Sequence, residues 1–398
     1  MKIAIITSGQ PTFTKGLASY VYEKCRRMQE KQNASLQVDC FMLRDDFSPL
    51  MKRIINRRSN EKVPNWEGHE DSCYVKGVNY RCIWRNNGLI DNILYSKMGI
   101  KYKENAFRHR VAKFLKCYDV ICTHKLACHL IGLYLKEKYG IPYIATWHGS
   151  DINVYPYDKE VLRKDTVLAL EGASMNLFVS KGLMNASYSL TDKIKCDVIY
   201  TGAASHFRRY SDAERDLLKN KYQVNGCKVV SFIGNLVPVK NVSTIPAIFK
   251  MVAELYKGGK IVFWIIGNGE LEQSLRKDFS QSNIDVRFLG RKDSADMPEY
   301  YNCLDVNVLP SQNEGFSLVN VEARTCGVNV VGSNVGGIPE SIGQQENVFP
   351  LDGNFVQNIS RRIVEILDNN EKPEPLPKEM SWDYAIEKEL MLCRELSN

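Results

Sequence analysis

The chain has 398 residues, of which 44% are apolar and 25% charged, and 53 Lys or Arg against 46 Asp or Glu give a formal net charge of +7. That length suits two or more domains, and the apolar share is ordinary for a globular protein. The uninterrupted apolar runs are far too short to span a bilayer, and the twelve cysteines show neither a C-x-x-C pair nor metal-ligand spacing, so they read as reduced core residues.

In chain order, Met1-Lys2-Ile3-Ala4-Ile5-Ile6-Thr7 is apolar and stops at Ser8-Gly9, as a first buried strand does and a signal peptide does not. The β-rich runs over Lys2–Thr7, Val38–Leu43, Tyr118–Thr123, Pro142–Trp147, Asn176–Ser180 and Asp197–Tyr200 predict six strands in the first half. Val229–Ile233, Ile261–Ile266, Asp285–Leu289, Asp305–Leu309 and Asn329–Gly332 predict five more in the second. Helical patterns such as Leu17–Met28 and Ile245–Tyr256 intervene. Strands alternating with helices, twice over, imply an α/β protein of two Rossmann-like domains with parallel sheets covered on both faces. Ligands then bind beyond the carboxyl ends of the strands, where the strand order reverses. Thr201-Gly202 marks the domain boundary, and Pro373-Glu374-Pro375-Leu376-Pro377 interrupts the tail before a last helix that Ser381 can cap.

The segment from Pro310 to Ala323 carries the most chemistry. Glu314 and Glu322 stand eight positions apart across a strand-to-helix turn. Pro310 ends the strand and a helix starts near Ser317, so the N–H groups of Gly315, Phe316, Ser317, Leu318 and Val319 are candidate anion donors. Glu314 could accept from sugar hydroxyls, and Glu322, inside the helix, could take a second hydroxyl pair such as a ribose diol. The plain alternative is a capped helix with two surface glutamates. Gly267-Asn268-Gly269 follows a strand and would allow close backbone approach to a ligand.

Glu314 and Glu322, with Phe232–Asn241, Ile265–Gly269, Phe288-Leu289-Gly290 and Gly336-Gly337-Ile338-Pro339-Glu340, resemble the E-x7-E signature and flanking motifs of retaining GT-B glycosyltransferases of family 4 (glycosyl transferases group 1). The likeness is close from Lys228 to about Glu340 and looser before, where His148-Gly149-Ser150-Asp151 and Gly16 anchor it. The resemblance implies residues 1–202 as an acceptor-side domain, 203–378 as a nucleotide-sugar domain, and 379–398 as a helix returning to the first, with a central cleft. It implies that Lys240 neutralises the donor diphosphate, Gly16 approaches it, His148 contacts the donor sugar near the reacting carbon, and Arg291 and Lys292 lie near the base. Asn235 stands where the family has an Arg, so a cation is missing there unless another, such as Lys15, replaces it. No covalent nucleophile and no metal are expected, since there is no D-x-D motif. The expected activity is retaining transfer from a nucleotide-diphosphate sugar to a glycan or lipid-linked acceptor, in surface polysaccharide biosynthesis. The alternatives are an inactive binding subunit, which Asn235 suggests, and a sugar-nucleotide epimerase on the same fold.

Charge placement adds one expectation. Residues 51–120 hold fifteen Lys or Arg and seven Asp or Glu, so this stretch carries the whole positive surplus. Lys101, Lys103, Arg108, Arg110, Lys113 and Lys116 accompany Phe107, Val111, Phe114 and Leu115 at helical spacing, and Arg53, Arg57 and Arg58 form a second cluster. A basic amphipathic helix of this kind can lie on an anionic membrane, and a helix whose apolar face meets its own core has the same pattern. The expected place is the cytoplasm or the inner face of its membrane. Nucleic acid is disfavoured, because no recognition motif accompanies the charge.

Overall fold

The structure, a computed structural model, describes residues 1–8, 16–58, 70–75, 77–88, 93–94 and 102–397. It divides into two compact units. The first comprises Met1–Val179, Leu183–Ile199 and Asp383–Asn398, and the second Ser180–Gly182 and Tyr200–Trp382. The last helix, Trp382–Ser397, therefore lies almost wholly in the first unit, although it follows the second in sequence. Gly202 sits where the chain entering the second unit passes the chain leaving it: a Cβ there would lie 2.8 Å from the Trp382 nitrogen.

The first unit is built on a sheet of β1 (Lys2–Ser8), β2 (Gln37–Phe47), β3 (Ser72–Val75), β4 (Val78–Asn87), β5 (Val120–His124), β6 (Tyr143–Trp147), β7 (Met175–Phe178) and β8 (Cys196–Val198), in the order β3-β4-β2-β1-β5-β6-β7-β8. All pairings are parallel except β3 with β4. Every residue of β5 and β6 is buried, as both-face coverage by helices requires. The strand order reverses between β1 and β5.

The second unit holds β9 (Cys227–Ile233), β10 (Lys260–Ile266), β11 (Val286–Gly290), β12 (Val306–Leu309), β13 (Asn329–Ser333) and β14 (Val348–Phe349), all parallel, in the order β11-β10-β9-β12-β13-β14. Side-chain alternation splits its core in two. Phe232, Phe263 and Ile265 meet the helices Ile245–Leu255 and Phe355–Asn369 on one face. Val229, Trp264 and Ile266 pack with Tyr301, Cys326 and Ile338 on the other. The order reverses between β9 and β12.

Each of the eleven expected strands exists, with shifted ends. The pair β3–β4 was not expected, because Val78–Asn87 mixes apolar residues with Arg81, Arg85, Asn86 and Asn87. It matters to β2, whose continuation past Leu43 to Phe47 pairs with Trp84–Asn87. Of the two readings of the basic amphipathic helix, the structure supports the core-facing one for its apolar side. The helix Tyr102–Leu115 buries Phe107, Val111 and Leu115, leaves Phe114 exposed, and buries Arg108 beside Glu104. Its apolar stripe is core apart from Phe114, and Arg110, Lys113 and Lys116 are exposed. Lys101 and the side chains of Arg57, Arg58 and Lys103 lie outside the described residues. No described helix is long and apolar enough to cross a membrane. All twelve cysteines are free thiols, with Cys122 and Cys303 buried and Cys196 partly so.

Candidate active site

In the second unit the chain leaves β9 and β12 side by side at the reversal point, where an open α/β sheet has its crevice. After β9 it runs through Asn235 to the 3-10 turn Pro238–Lys240. After β12 it turns through Glu314, and the Gln312 N–H donates to the Val239 carbonyl at 2.9 Å, tying the two loops together. Across them Lys240 Nζ donates to Glu314 Oε2 in an ion pair, with the side chains 21% and 18% exposed. The cation and carboxylate read from the sequence as ligand groups thus neutralise each other while remaining reachable. Asn235 is exposed on the same loop.

Ser317 caps the helix Leu318–Thr325, its Oγ accepting the Asn320 N–H at 3.2 Å. The N–H groups of Leu318 and Val319, in the first turn, have no intrahelical carbonyl to meet. Gly315 and Phe316 precede the cap, and the Phe316 ring packs against Tyr200 with centroids 5.6 Å apart. Glu322 is half-buried, and the fully buried Tyr301 donates its hydroxyl to Glu322 Oε2 at 2.9 Å. Burial pushes the Glu322 carboxyl up to about 7, against the opposing pull of the Tyr301 hydrogen bond.

Two pairs of glycines shape these loops. Gly336 has φ +53°, and a Cβ there would lie 2.1 Å from the Glu314 carbonyl oxygen. One at Gly337 would lie 2.3 Å from that of Gly315, and the Gly337 N–H donates to the Glu314 carbonyl at 3.1 Å. The Gly-Gly pair is therefore the backing on which the carboxylate turn rests. A Cβ on Gly267 (φ +138°) would lie 1.9 Å from the Gly234 carbonyl, and one on Gly269 2.3 Å from that of Leu236. The close approach expected at Gly267 is thus already made by the protein's own β9 loop. Lys292 packs over the Tyr300 ring at 5.2 Å.

In the first unit, His148 leaves the end of β6. Gly149 takes φ +141°, which favours glycine, and the buried Asp151 carboxylate accepts the N–H groups of His148 and Gly149, at 3.2 and 2.9 Å. The His-Gly-Ser-Asp run is thus a pinned turn. Behind it lies a chain of buried polar groups. His124, at the end of β5, places Nδ1 2.9 Å from His148 Nε2. Lys24 Nζ lies 3.0 Å from His124 Nε2 and 2.5 Å from Glu389 Oε1 on the last helix. Lys24, His124 and Glu389 are at most 1% exposed. Burial, then the Lys24 charge, holds both His124 and His148 well below the usual imidazole range. The Tyr20 ring meets His148 edge-on at 4.7 Å. Gly16 opens the helix Gly16–Glu30, which carries Lys24, while Thr14 and Lys15 lie outside the described residues.

Sequence reading missed Tyr301, Lys24 and Glu389. Each is unremarkable in its own segment and gains its partner only across the fold.

Residues 214–381 match the family described as glycosyl transferases group 1. An uncharacterized glycosyltransferase of Methanocaldococcus jannaschii, MJ1178, is 26% identical over 78% of this chain and 84% of its own length. Among solved structures, the sucrose-phosphate synthase of Thermosynechococcus elongatus superposes with a TM-score of 0.73 at 17% identity, covering 99% of this chain and 98% of that one. Anabaena HepE, solved in complex with UDP, gives 0.67 at 16% identity over 100% of this chain and 96% of that one. The fold is that of GT-B glycosyltransferases.

Proposed function

We propose that the chain, whose residues 214–381 match the glycosyl transferases group 1 family, moves a sugar from a nucleotide-diphosphate sugar to a glycan or lipid-linked acceptor, with retention at the anomeric carbon. The observation that carries this reading is the Lys240–Glu314 pair beside an open helix start at the reversal point of the second sheet. A diphosphate entering there would draw Lys240 from Glu314, and the freed carboxylate would accept sugar hydroxyls. The Leu318 and Val319 N–H groups would share the phosphate charge. Glu322 would take the ribose diol. A ligand of this kind agrees with the UDP bound by HepE.

In the reaction the bond from the anomeric carbon to the diphosphate oxygen breaks, and a bond to the acceptor oxygen forms on the same face. The acceptor's proton passes to the departing diphosphate. Fixed donors and Lys240 stabilise the negative charge that grows on the leaving group. His148 would hydrogen-bond a sugar hydroxyl. No metal is required in this scheme, so EDTA should leave the rate unchanged. The solvent-facing Arg110, Lys113 and Lys116 would hold the first unit to an anionic membrane that carries a lipid-linked acceptor, as in surface polysaccharide assembly. Flotation with anionic vesicles checks this, and protein left wholly at the bottom of the gradient rejects it.

The deciding experiment is thermal stabilisation by a panel of UDP-, GDP-, ADP- and dTDP-sugars, with Glu322→Ala as control. One donor shifting the wild type but not the variant supports the site and names the base. Proton NMR of the product then reports the anomeric configuration. A second reading, a binding subunit without turnover, is favoured by Asn235 alone. Donor-induced stabilisation without transfer or hydrolysis of any donor sugar would select it.

A further inference from the structure

We infer that Lys24, anchored by Glu389 of the last helix, is a positioning residue that fixes the tautomer of His148 through His124. This rests on the reading above, in which His148 meets the donor sugar.

The inference follows from what each group can donate. A lysine ammonium has three protons and no lone pair. Burial opposes its charge, but Glu389, 2.5 Å away, more than offsets that and holds Lys24 protonated. At 3.0 Å from Lys24 Nζ, His124 Nε2 can therefore only accept. A neutral imidazole that accepts at Nε2 carries its proton on Nδ1. His124 Nδ1 then donates across 2.9 Å to His148 Nε2, which must in turn be an acceptor. The proton of His148 is left on Nδ1, the ring nitrogen turned away from His124. Each hydrogen bond thus dictates the next, from the last helix to the end of β6.

Three consequences follow. His148 offers a hydrogen-bond donor, which suits the oxygen of a sugar hydroxyl. It cannot take a proton at Nε2 without setting two N–H groups against each other, so it is not a general base there. It also stays neutral, which suits a site where positive charge develops on the sugar. The ion pair with Glu389 cancels the Lys24 charge, so the relay fixes proton positions without adding net charge. Tyr20, His129, Cys122 and Lys125 surround the relay. The Thr123 hydroxyl binds His129 Nδ1 at 2.8 Å, which keeps that ring out of the chain.

Long-range proton–nitrogen NMR of the full chain, labelled at its six histidines, reads the tautomers directly. His148→Ala and His124→Gln assign the signals. The expected result is an Nδ1–H tautomer at both rings in the wild type. The variant Lys24→Met/Glu389→Leu removes both buried charges together, so it keeps a compensated core. In it the Nε2–H form of His148 should appear, while Lys24→Arg, which still donates to His124, should restore the wild-type pattern. With an active donor in hand, the double variant should lower kcat about tenfold with KM for the donor changed less than twofold, and Lys24→Arg should recover most of it. An Nε2–H or charged His148 in the wild type, or a tautomer unmoved in the double variant, overturns the relay whatever the activity. Full activity in His148→Ala instead overturns the assigned role of His148, and is told apart because the tautomer measurement does not depend on turnover.

Discussion

Under the proposed function, Glu322 joins stability to ligand binding in a single carboxyl. Burial raises its pKa from 4.5 to about 7, so the folded state holds a proton that the unfolded chain has released. Its contribution is therefore fully present below pH 4.5 and is lost as pH rises through 7, a change of about 3 kcal/mol. Urea titrations of wild type and Glu322→Gln should diverge over that window, with the wild type losing stability relative to the variant. Ribose-type hydroxyls donate to the ionised form, so nucleotide affinity should rise with pH up to about 7 and then level off. In Glu322→Gln it should be weaker and flat, and calorimetry at three pH values decides between the two. Asn235 allows a gain-of-function test. A guanidinium at that exposed position adds a bidentate cation for a diphosphate, so Asn235→Arg should tighten nucleoside diphosphate binding about tenfold. Both carboxylates and Lys240 were legible as types at a spacing. What the sequence could not show is that Lys240 and Glu314, 74 positions apart, hold each other.

At the level of turns and strands, the glycines separate conformation from close approach. Gly336 and Gly140 both take positive φ, but a Cβ on Gly140 meets nothing within 4 Å, whereas one on Gly336 meets the Glu314 carbonyl. Gly140→Ala should therefore cost about 1 kcal/mol by chemical denaturation, the price of a left-handed backbone alone. Gly336→Ala should cost about 3 kcal/mol or more and weaken nucleotide binding, because the carboxylate turn must move. Equal costs at the two sites would show that the turn is not braced there. In sequence Gly336-Gly337 is only part of a motif, since nothing local reveals what backbone lies opposite. The same blindness hid β3 and β4. Half-exposed strands at or next to a sheet edge lack the unbroken apolar run that made β5 and β6 easy to read.

Across the whole molecule, the last helix stabilises the first unit through a charge pair 365 positions apart in sequence. Removing one buried partner strands the other, so Lys24→Met or Glu389→Leu should each lose about 3–5 kcal/mol. The double variant should recover much of that, a non-additivity that a double-mutant cycle in thermal unfolding measures. Additive losses would mean that the two side chains act independently. The amino-acid sequence by itself determined the α/β class, the two repeating strand-and-helix sets and the residue types of the candidate site. These depend on local periodicity and on residues close together in the chain. Tertiary structure alone decided which groups are paired, which glycines brace a loop, that the stripe Phe107–Val111–Leu115 is core, and how Glu389 reaches His148 through Lys24 and His124. The physical reason is that a hydrogen bond or a close contact depends on distance in space, and a residue's type does not reveal which distant segment the fold will set against it.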